Sequence, residues 1–295
     1  MDEVCICIVN YNNGPMTIQC IQSVFKQTFD HYKIIIIDNA STDRSVSKIR
    51  SFLQNSNYPF SEIAYSNQTF SRTDSFSKVM IIQADINGGY SFGNNVAIQY
   101  ARKISAFTHL LIINNDVQLE DHFLEKMMTC FHHSQSCLKS DKIAMGATEF
   151  RISGKVNHRG YHHLNLFTGL SLSFPVFPSF KYIVGACIFL PMEAPLMDES
   201  FFLYYDDAQY SKILKASGYL LKTCSKAKYI HDISHTTRKE KSMHIHAFRS
   251  MKLFYRKHYP VYLPVVLIIR TIANLIMLRG RIAFDLVKII CLKKN

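Results

Sequence analysis

Short apolar runs alternate with polar, loop-forming clusters through the first third of the chain. Val4–Val9 is apolar and ends at Asn10-Tyr11-Asn12-Asn13-Gly14-Pro15. That pattern predicts a buried strand followed by a tight loop. Pro15 can open a helix that carries Ile18, Ile21, Val24 and Phe25 on one face. Lys33–Ile37 predicts a second buried strand that ends at Asp38, and Asp43 is suited to N-cap a helix through Ile49 and Leu53. Residues 54–77 are polar and predict a loop with one edge strand near Glu62–Tyr65. A strand over Val79–Gln83, a helix over Phe92–Ile104 and a strand over His109–Ile113 complete the series.

This alternation of strand and helix predicts an α/β fold with a doubly wound, mostly parallel sheet. Ligands of such sheets bind beyond the carboxyl ends of the strands. Those ends carry Asn10 and Tyr11, Asp38, Asn87 and Asp116. After residue 120 the alternation breaks down. Phe123–Phe131 reads as helix and Ile143–Phe150 as strand, whereas 151–180 is rich in His, Ser and Phe with few helical cues. Tyr182–Leu190 reads as one strand, Asp206–Ser217 as helix, Tyr219–Thr223 as strand and 240–259 as a basic, aromatic helix.

Charge is distributed unevenly along the 295 residues, whose formal net charge is +12. Residues 1–235 hold 21 Lys+Arg against 20 Asp+Glu, and residues 236–295 hold 13 against 2. A nearly neutral body argues against tracking a nucleic-acid backbone, and a basic tail favours an anionic surface such as a membrane. The eight cysteines include no C-x-x-C pair, so buried free thiols are expected rather than a zinc site or disulfides. The N-terminus lacks a basic leader and runs straight into a strand pattern, which predicts a cytoplasmic protein.

Individually, the polar clusters admit two readings each. Asn114-Asn115-Asp116 is either a turn after a strand or a carboxylate placed to hold a divalent cation. Asp38 is either an Asx-turn residue or an acceptor for a base or ribose hydroxyl. Asn87-Gly88-Gly89 is either a strand-to-helix turn or a set of amides suited to phosphate. Asp206-Asp207 either complements a helix dipole or presents a general base. His231 is either structural or a cation ligand.

Their order and spacing together resemble the family 2 glycosyltransferases of the GT-A fold, especially the rhamnosyltransferase-like branch that builds bacterial surface polysaccharides. The markers are Ile8-Val9-Asn10-Tyr11-Asn12, Ile37-Asp38-Asn39-Ala40-Ser41-Thr42-Asp43, Asn87-Gly88-Gly89-Tyr90, Leu111–Asp116, Gly185-Ala186-Cys187, Phe201–Asp207 and His231. The resemblance implies a Rossmann-like nucleotide half over 1–120, a mixed-sheet acceptor half over 121–235 and a helical extension over 236–295. It implies donor binding by Asn10, Tyr11, Asp38, Asn87, Gly88 and Asn115, with a divalent cation (Mg or Mn) at Asp116 and His231. Asp207 would be the catalytic base and Asp206 its acceptor-contacting neighbour. Asn114 stands where the family carries the first acid of its D-x-D motif.

The implied reaction is inverting transfer of rhamnose or another hexose from a dTDP- or UDP-sugar to a glycan or lipid-linked saccharide. The alternative is a catalytically weak or dead nucleotide- or glycan-binding homologue. Residues 261–278 are apolar apart from Pro264, Arg270, Thr271 and Asn274. Arg270 near the centre disfavours a lone span, so 240–295 is expected to make peripheral membrane contact at the inner face of the cell membrane.

Overall fold

The computed structural model describes residues 2–72, 76, 78–104, 107–231 and 241–276. The expected apolar stretch 261–278 runs two residues beyond them, and the basic residues after 278 also lie outside.

The first elements follow the expected order. They are β1 (Val4–Asn10), α1 (Gly14–Phe25), β2 (Tyr32–Asp38), α2 (Ser45–Asn55), β3 (Phe60–Ser66), β4 (Thr69–Phe70), β5 (Val79–Ala84), α3 (Gly89–Ile104) and β6 (His109–Asn114). β3, β5, β2, β1 and β6 are parallel neighbours in that spatial order. Apart from Lys33 and their last residues, Asn10 and Asp38, β1 and β2 are apolar, as befits strands covered on both faces. The register aligns Asn10 with Asp38, and Val9 with Asn114. The strands therefore deliver their polar ends to one edge.

Three local features differ from expectation. The polar stretch after α2 forms β3 and β4, and β3 pairs in parallel with β5 rather than standing as an isolated edge piece. Its alternation of Ile63 and Tyr65 buried against exposed neighbours had been masked by serines and asparagines. α3 begins at Gly89, not Phe92, because the Asn87 side chain accepts the Gly89 amide and turns the chain early. The N-cap of α2 is Arg44 and not Asp43, although the Asp43 carboxylate, one residue earlier, accepts the Ser45 amide at 2.8 Å.

The rest comprises β7 (Val117–Leu119), α4 (Phe123–Leu138), β8 (Ile143–Phe150), β9 (Val156–Arg159), β10 (Tyr161–Asn165), β11 (Ser171–Leu172), β12 (Ser179–Ile183), β13 (Cys187–Pro191), α5 (Asp206–Ala216), β14 (Leu220–His231), α6 (Lys241–His258) and α7 (Leu263–Ile276). β13 pairs antiparallel with β6, and β8, β14 and β7 continue the same sheet. β10, β11 and β12 form a separate small sheet. Tyr182–Leu190 is thus two strands in two sheets, broken at Val184–Ala186, where Gly185 passes close to Asp207. β14 is far longer than Tyr219–Thr223. Its register against β8 shifts between Cys224 and Lys228, which face Ala147 and Thr148.

One thiol expectation is overturned. Cys130 on α4 and Cys224 on β14 form a disulfide across 94 residues of sequence. Spacing cannot report such a pair, because the packing of a helix on a distant strand brings the sulfurs together. Cys5, Cys7, Cys20 and Cys187 are buried free thiols, and Cys137 is an exposed one.

The described part of the extension, α6 and α7, packs on the domain. Phe248, Met251, Phe254 and Tyr255 of α6 and Val266 of α7 share a core with Leu164, Phe180, Tyr182, Phe201 and Ala208. Arg270 is half-buried and follows the buried Val266 by one helical turn, so it belongs to the side of α7 that meets the domain. Among the described residues no helix is long and apolar enough to cross a membrane.

Candidate active site

At the parallel-strand edge, Asn10 and Asp38 form one network. Asn10 Nδ2 donates to Asp38 Oδ1 at 2.6 Å, and Thr17 Oγ1 donates to Asn10 Oδ1 at 2.7 Å. Asn115 Nδ2 donates to Thr17 Oγ1 at 3.0 Å, which ties the end of β6 to α1. The Ser41 amide and hydroxyl both donate to the Asp38 carboxylate. Asn10, Asp38 and Asn115 thus build a rigid floor, while Tyr11 stands 46% exposed above it.

The glycine loop joins this floor to the second half. Asn39 Nδ2 donates to the Gly89 carbonyl at 2.9 Å, and the Tyr90 amide donates to the Phe202 carbonyl at 3.1 Å. Gly89 has φ +86°, and a Cβ there would lie 2.3 Å from the Phe202 oxygen. Only glycine accommodates both demands. At Gly88 an added Cβ would collide with the Phe92 ring.

Asp206 and Asp207 open α5 immediately after Tyr204 and Tyr205, whose φ angles are +63° and +60°. Two consecutive left-handed residues without glycine mark a turn that its surroundings enforce. The Tyr205 hydroxyl donates to the Gly169 carbonyl at 2.8 Å, and Ser250 of α6 donates to the Leu203 carbonyl. The Asp207 carboxylate accepts the Ala208 amide at 2.8 Å and the Gly185 amide at 3.3 Å. Tyr90 in turn donates to the Gly185 carbonyl at 2.6 Å. A cavity of about 160 Å³ opens before both acids, walled by Leu164, Ser171, Tyr182 and Tyr205. Burial pushes both carboxyls above their ordinary range, and the charge of Asp207 pushes Asp206 further.

Asp116 and His231 meet although 115 positions separate them in sequence. β14 pairs with β7 so that His231 lies opposite Val117. His231 Nε2 is then 3.0 Å from Asp116 Oδ1. The other ring nitrogen, Nδ1, is 3.1 Å from Glu149 Oε2. Burial opposes a charge on the ring, but the two carboxylates outweigh it and push its pKa up to about 10.

Glu149 is the residue that the sequence reading missed. It is 1% exposed, yet it is held ionised. Burial raises its pKa, but hydrogen bonds from His158 and His231 hold it well below the carboxylate range. Asn157 and Tyr229 also donate to it, at 2.6 and 3.1 Å. The Gly160 amide donates to His158 Nδ1, which leaves Nε2–H to donate to Glu149 at 2.9 Å. A single acid inside the apolar run Ile143–Phe150 was the available signal, since a buried charge requires partners.

Among the described residues no group of three or more His, Cys, Asp or Glu could hold a metal by itself. Asp116 and His231 stand side by side, and a divalent cation would be held there by the carboxylate and by Nε2 of the ring once the cation has displaced its proton, with the remaining ligands from a diphosphate and water. Asn114 adds no charge.

A larger open groove of about 540 Å³ lies between α1 and α2, beside Pro15, Ile18, Ser47 and Lys48, and none of the candidate residues lines it.

The fold resembles solved glycosyltransferases. Staphylococcus aureus TarS 1–349 in complex with UDP superposes with a TM-score of 0.53 at 12% identity, over 92% of this chain and 72% of that one. Mannosyltransferase PcManGT from Pyrobaculum calidifontis, in complex with GDP-Man and Mn2+, gives 0.57 at 11% identity, over 92% and 74%. The glycosyltransferase GlyG of Streptococcus pneumoniae serotype 4 is 21% identical over 117 residues, 40% of this chain. The match spans about a third of that relative's length, 31%. The model of glycosyl transferase family 2 matches residues 5–187, a span that runs from β1 through the glycine loop and Asp116 to the start of β13. The chain therefore belongs to the family 2 glycosyltransferases and has the GT-A fold.

Proposed function

We propose that this chain is an inverting hexosyltransferase that uses a nucleoside-diphosphate sugar and acts in the synthesis of a cell-surface polysaccharide. The observation that carries this reading is the setting of Asp207. It faces a cavity, both its oxygens are fixed by backbone amides, and its loop is bonded through Tyr90 and Phe202 to the glycine loop. A carboxylate with a raised pKa that is held in place suits proton removal near neutral pH.

The floor of Asn10, Asp38 and Asn115, with Tyr11, Asn87 and Gly88, takes the nucleotide and donor sugar within 1–120. Asp207 accepts the proton of the acceptor hydroxyl as that oxygen bonds to the anomeric carbon. The carbon–oxygen bond to the diphosphate breaks on the opposite face, so one displacement inverts the centre. Asp206 contacts the acceptor, which enters from the 121–235 side. Asp116 and His231 would hold a divalent cation, Mg or Mn, which when bound offsets the charge of the leaving diphosphate.

UDP, UDP-GlcNAc and GDP-Man occupy the structurally similar proteins, one of them with Mn2+, and support a nucleotide-sugar donor here. Resemblance to the rhamnosyltransferase-like branch favours dTDP-rhamnose, followed by a UDP-hexose. The acceptor is a glycan or lipid-linked saccharide, met at the inner face of the membrane, with 236–295 as the contacting extension.

A thermal-shift screen of nucleoside diphosphates and diphospho-sugars with Mg, Mn or chelator tests this. Binding to the folded state raises the melting temperature. A cation-dependent rise with one nucleotide family is expected. The absence of any rise in a folded sample would refute the reading.

A further inference from the structure

Scattered exposed apolar residues are ordinary, whereas contiguous ones mark a contact surface. Two such groups meet on this molecule. The first is a stripe on α7 and the turn before it. Val261, Val265, Ile268 and Ile272 are 84, 39, 59 and 49% exposed and follow helical spacing, while Val266 on the opposite side is buried. The second lies on the turns of the small sheet, where Phe167, Leu170, Phe174 and Phe177 are 42, 45, 59 and 94% exposed.

The two groups are held together rigidly. Asn165, itself 5% exposed, accepts the Phe167 and Thr168 amides on Oδ1 and donates through Nδ2 to the Val176 carbonyl. One buried side chain thus sets both turns, and the Tyr255 hydroxyl donates to its carbonyl. The Phe167 ring meets Tyr262 edge-on at 5.3 Å, just before α7. Gly169 abuts Val266, with no room for a Cβ. The apolar tips are therefore displayed on an ordered frame.

Cations adjoin this surface. Lys212 Nζ lies 4.4 Å from the Phe180 ring and 4.5 Å from Tyr259, and Tyr259 packs against Tyr262. Lys215 Nζ lies 4.7 Å from Phe180 and donates to the Lys181 carbonyl. Lys212 and Lys215 of α5, with Tyr259 and Tyr262, thus adjoin the apolar patch and supply the cationic and amphipathic side chains that an anionic membrane interface takes beside an inserted apolar face.

We propose that the two turns of the small sheet and the outer stripe of α7 form one docking surface for an anionic lipid bilayer. The same turns frame the cavity of Asp207, because Tyr205 and Ser171 line it and Tyr205 is bonded to Gly169. Docking therefore sets that cavity beside the membrane. Only this last step rests on the reading of Asp207 as the acceptor base; the docking surface itself does not.

The test is sedimentation of the full chain with vesicles of phosphatidylcholine alone and with vesicles that also carry phosphatidylglycerol. The parent should bind the anionic vesicles preferentially. Phe174→Ser combined with Phe177→Ser should weaken that binding at least tenfold, since two large apolar side chains no longer enter the apolar phase. Lys212→Gln combined with Lys215→Gln should reduce the preference for phosphatidylglycerol. Equal binding by the serine variant would overturn the proposal, as would light scattering that shows the patch closed in a dimer of this chain. Nucleotide-induced thermal shifts are measured on the same samples. Vesicle binding without any such shift would uphold the docking surface and reject the transferase reading; the converse result would do the reverse.

Discussion

The imidazole of His231 is suspended between two carboxylates, with Nδ1 3.1 Å from Glu149 and Nε2 3.0 Å from Asp116. Glu149 fixes the ring's orientation from inside the protein. Asp116 stands on the side where β6 ends. Four donors converge on Glu149, so its own position is over-determined.

Glu149→Gln keeps the size of the side chain but places an amide where His231 and His158 need an acceptor. Cation-dependent nucleotide affinity should fall by roughly ten- to hundredfold, as for other groups that orient a metal-binding histidine. Calorimetric titration of the nucleotide with Mn2+ measures it, and circular dichroism reports folding. Unchanged affinity in a folded variant would show that His231 needs no support.

Asp207→Asn removes the base and preserves the shape. Turnover should drop by at least about a hundredfold, while the nucleotide-induced rise in melting temperature persists. The split matters: loss of both would indicate that the residue holds the loop rather than the proton.

Asp206 carries a stability signature. Its folded pKa is raised by burial and by Asp207, so the native state holds a proton that the unfolded chain has released. Stability from this group is present at acid pH and declines as pH rises from the ordinary carboxylate range through the raised value. Asp206→Asn should therefore raise the melting temperature relative to the parent near neutrality, with the gain shrinking toward pH 4. A pH series of thermal melts decides it; a constant difference would contradict the linkage.

Gly89 and Gly154 form an internal comparison. Both have positive φ, at +86° and +77°, but a Cβ at Gly154 meets nothing within 4 Å whereas one at Gly89 strikes the Phe202 backbone. Gly154→Ala should cost about 1 kcal/mol from backbone strain alone. Gly89→Ala should cost appreciably more, by about 2 kcal/mol or above, and impair turnover through the Phe202–Asp207 turn. Chemical denaturation gives the two values side by side, and equal costs would mean that the collision is relieved elsewhere.

The parallel half could be read from sequence because each strand is a closed apolar run that ends in a polar residue. Asn10, Asp38 and Asn114 terminate neighbouring strands in the structure for the same reason. Asp116 and His231 could be named but not joined, since the β7–β14 pairing that unites them leaves no local pattern. Glu149 stayed hidden for a different reason. Its partners Asn157, His158, Tyr229 and His231 arrive from β9 and β14, so within its own strand it is one acid beside Phe150 with nothing local to satisfy it. The small sheet over 161–183 was unreadable because its strands are short and its exposed phenylalanines break the alternation that burial normally imposes. The tail could be read as basic and helical, but the burial of α6 against Phe201 and Ala208 depends on contacts that no periodicity encodes.

The register shift in β14 buffers the His231 site against changes in chain length. Cys224 and Lys228 face consecutive residues of β8, so Ser225, Lys226 and Ala227 are taken up as surplus chain. Side chains alternate along a strand. Beyond the surplus that alternation is fixed by pairing, with Tyr229 opposite Glu149 of β8 and His231 opposite Val117 of β7. One residue added or removed in the surplus is therefore taken up as slack, and the imidazole should keep its place between Asp116 and Glu149 whatever the length of chain that precedes it.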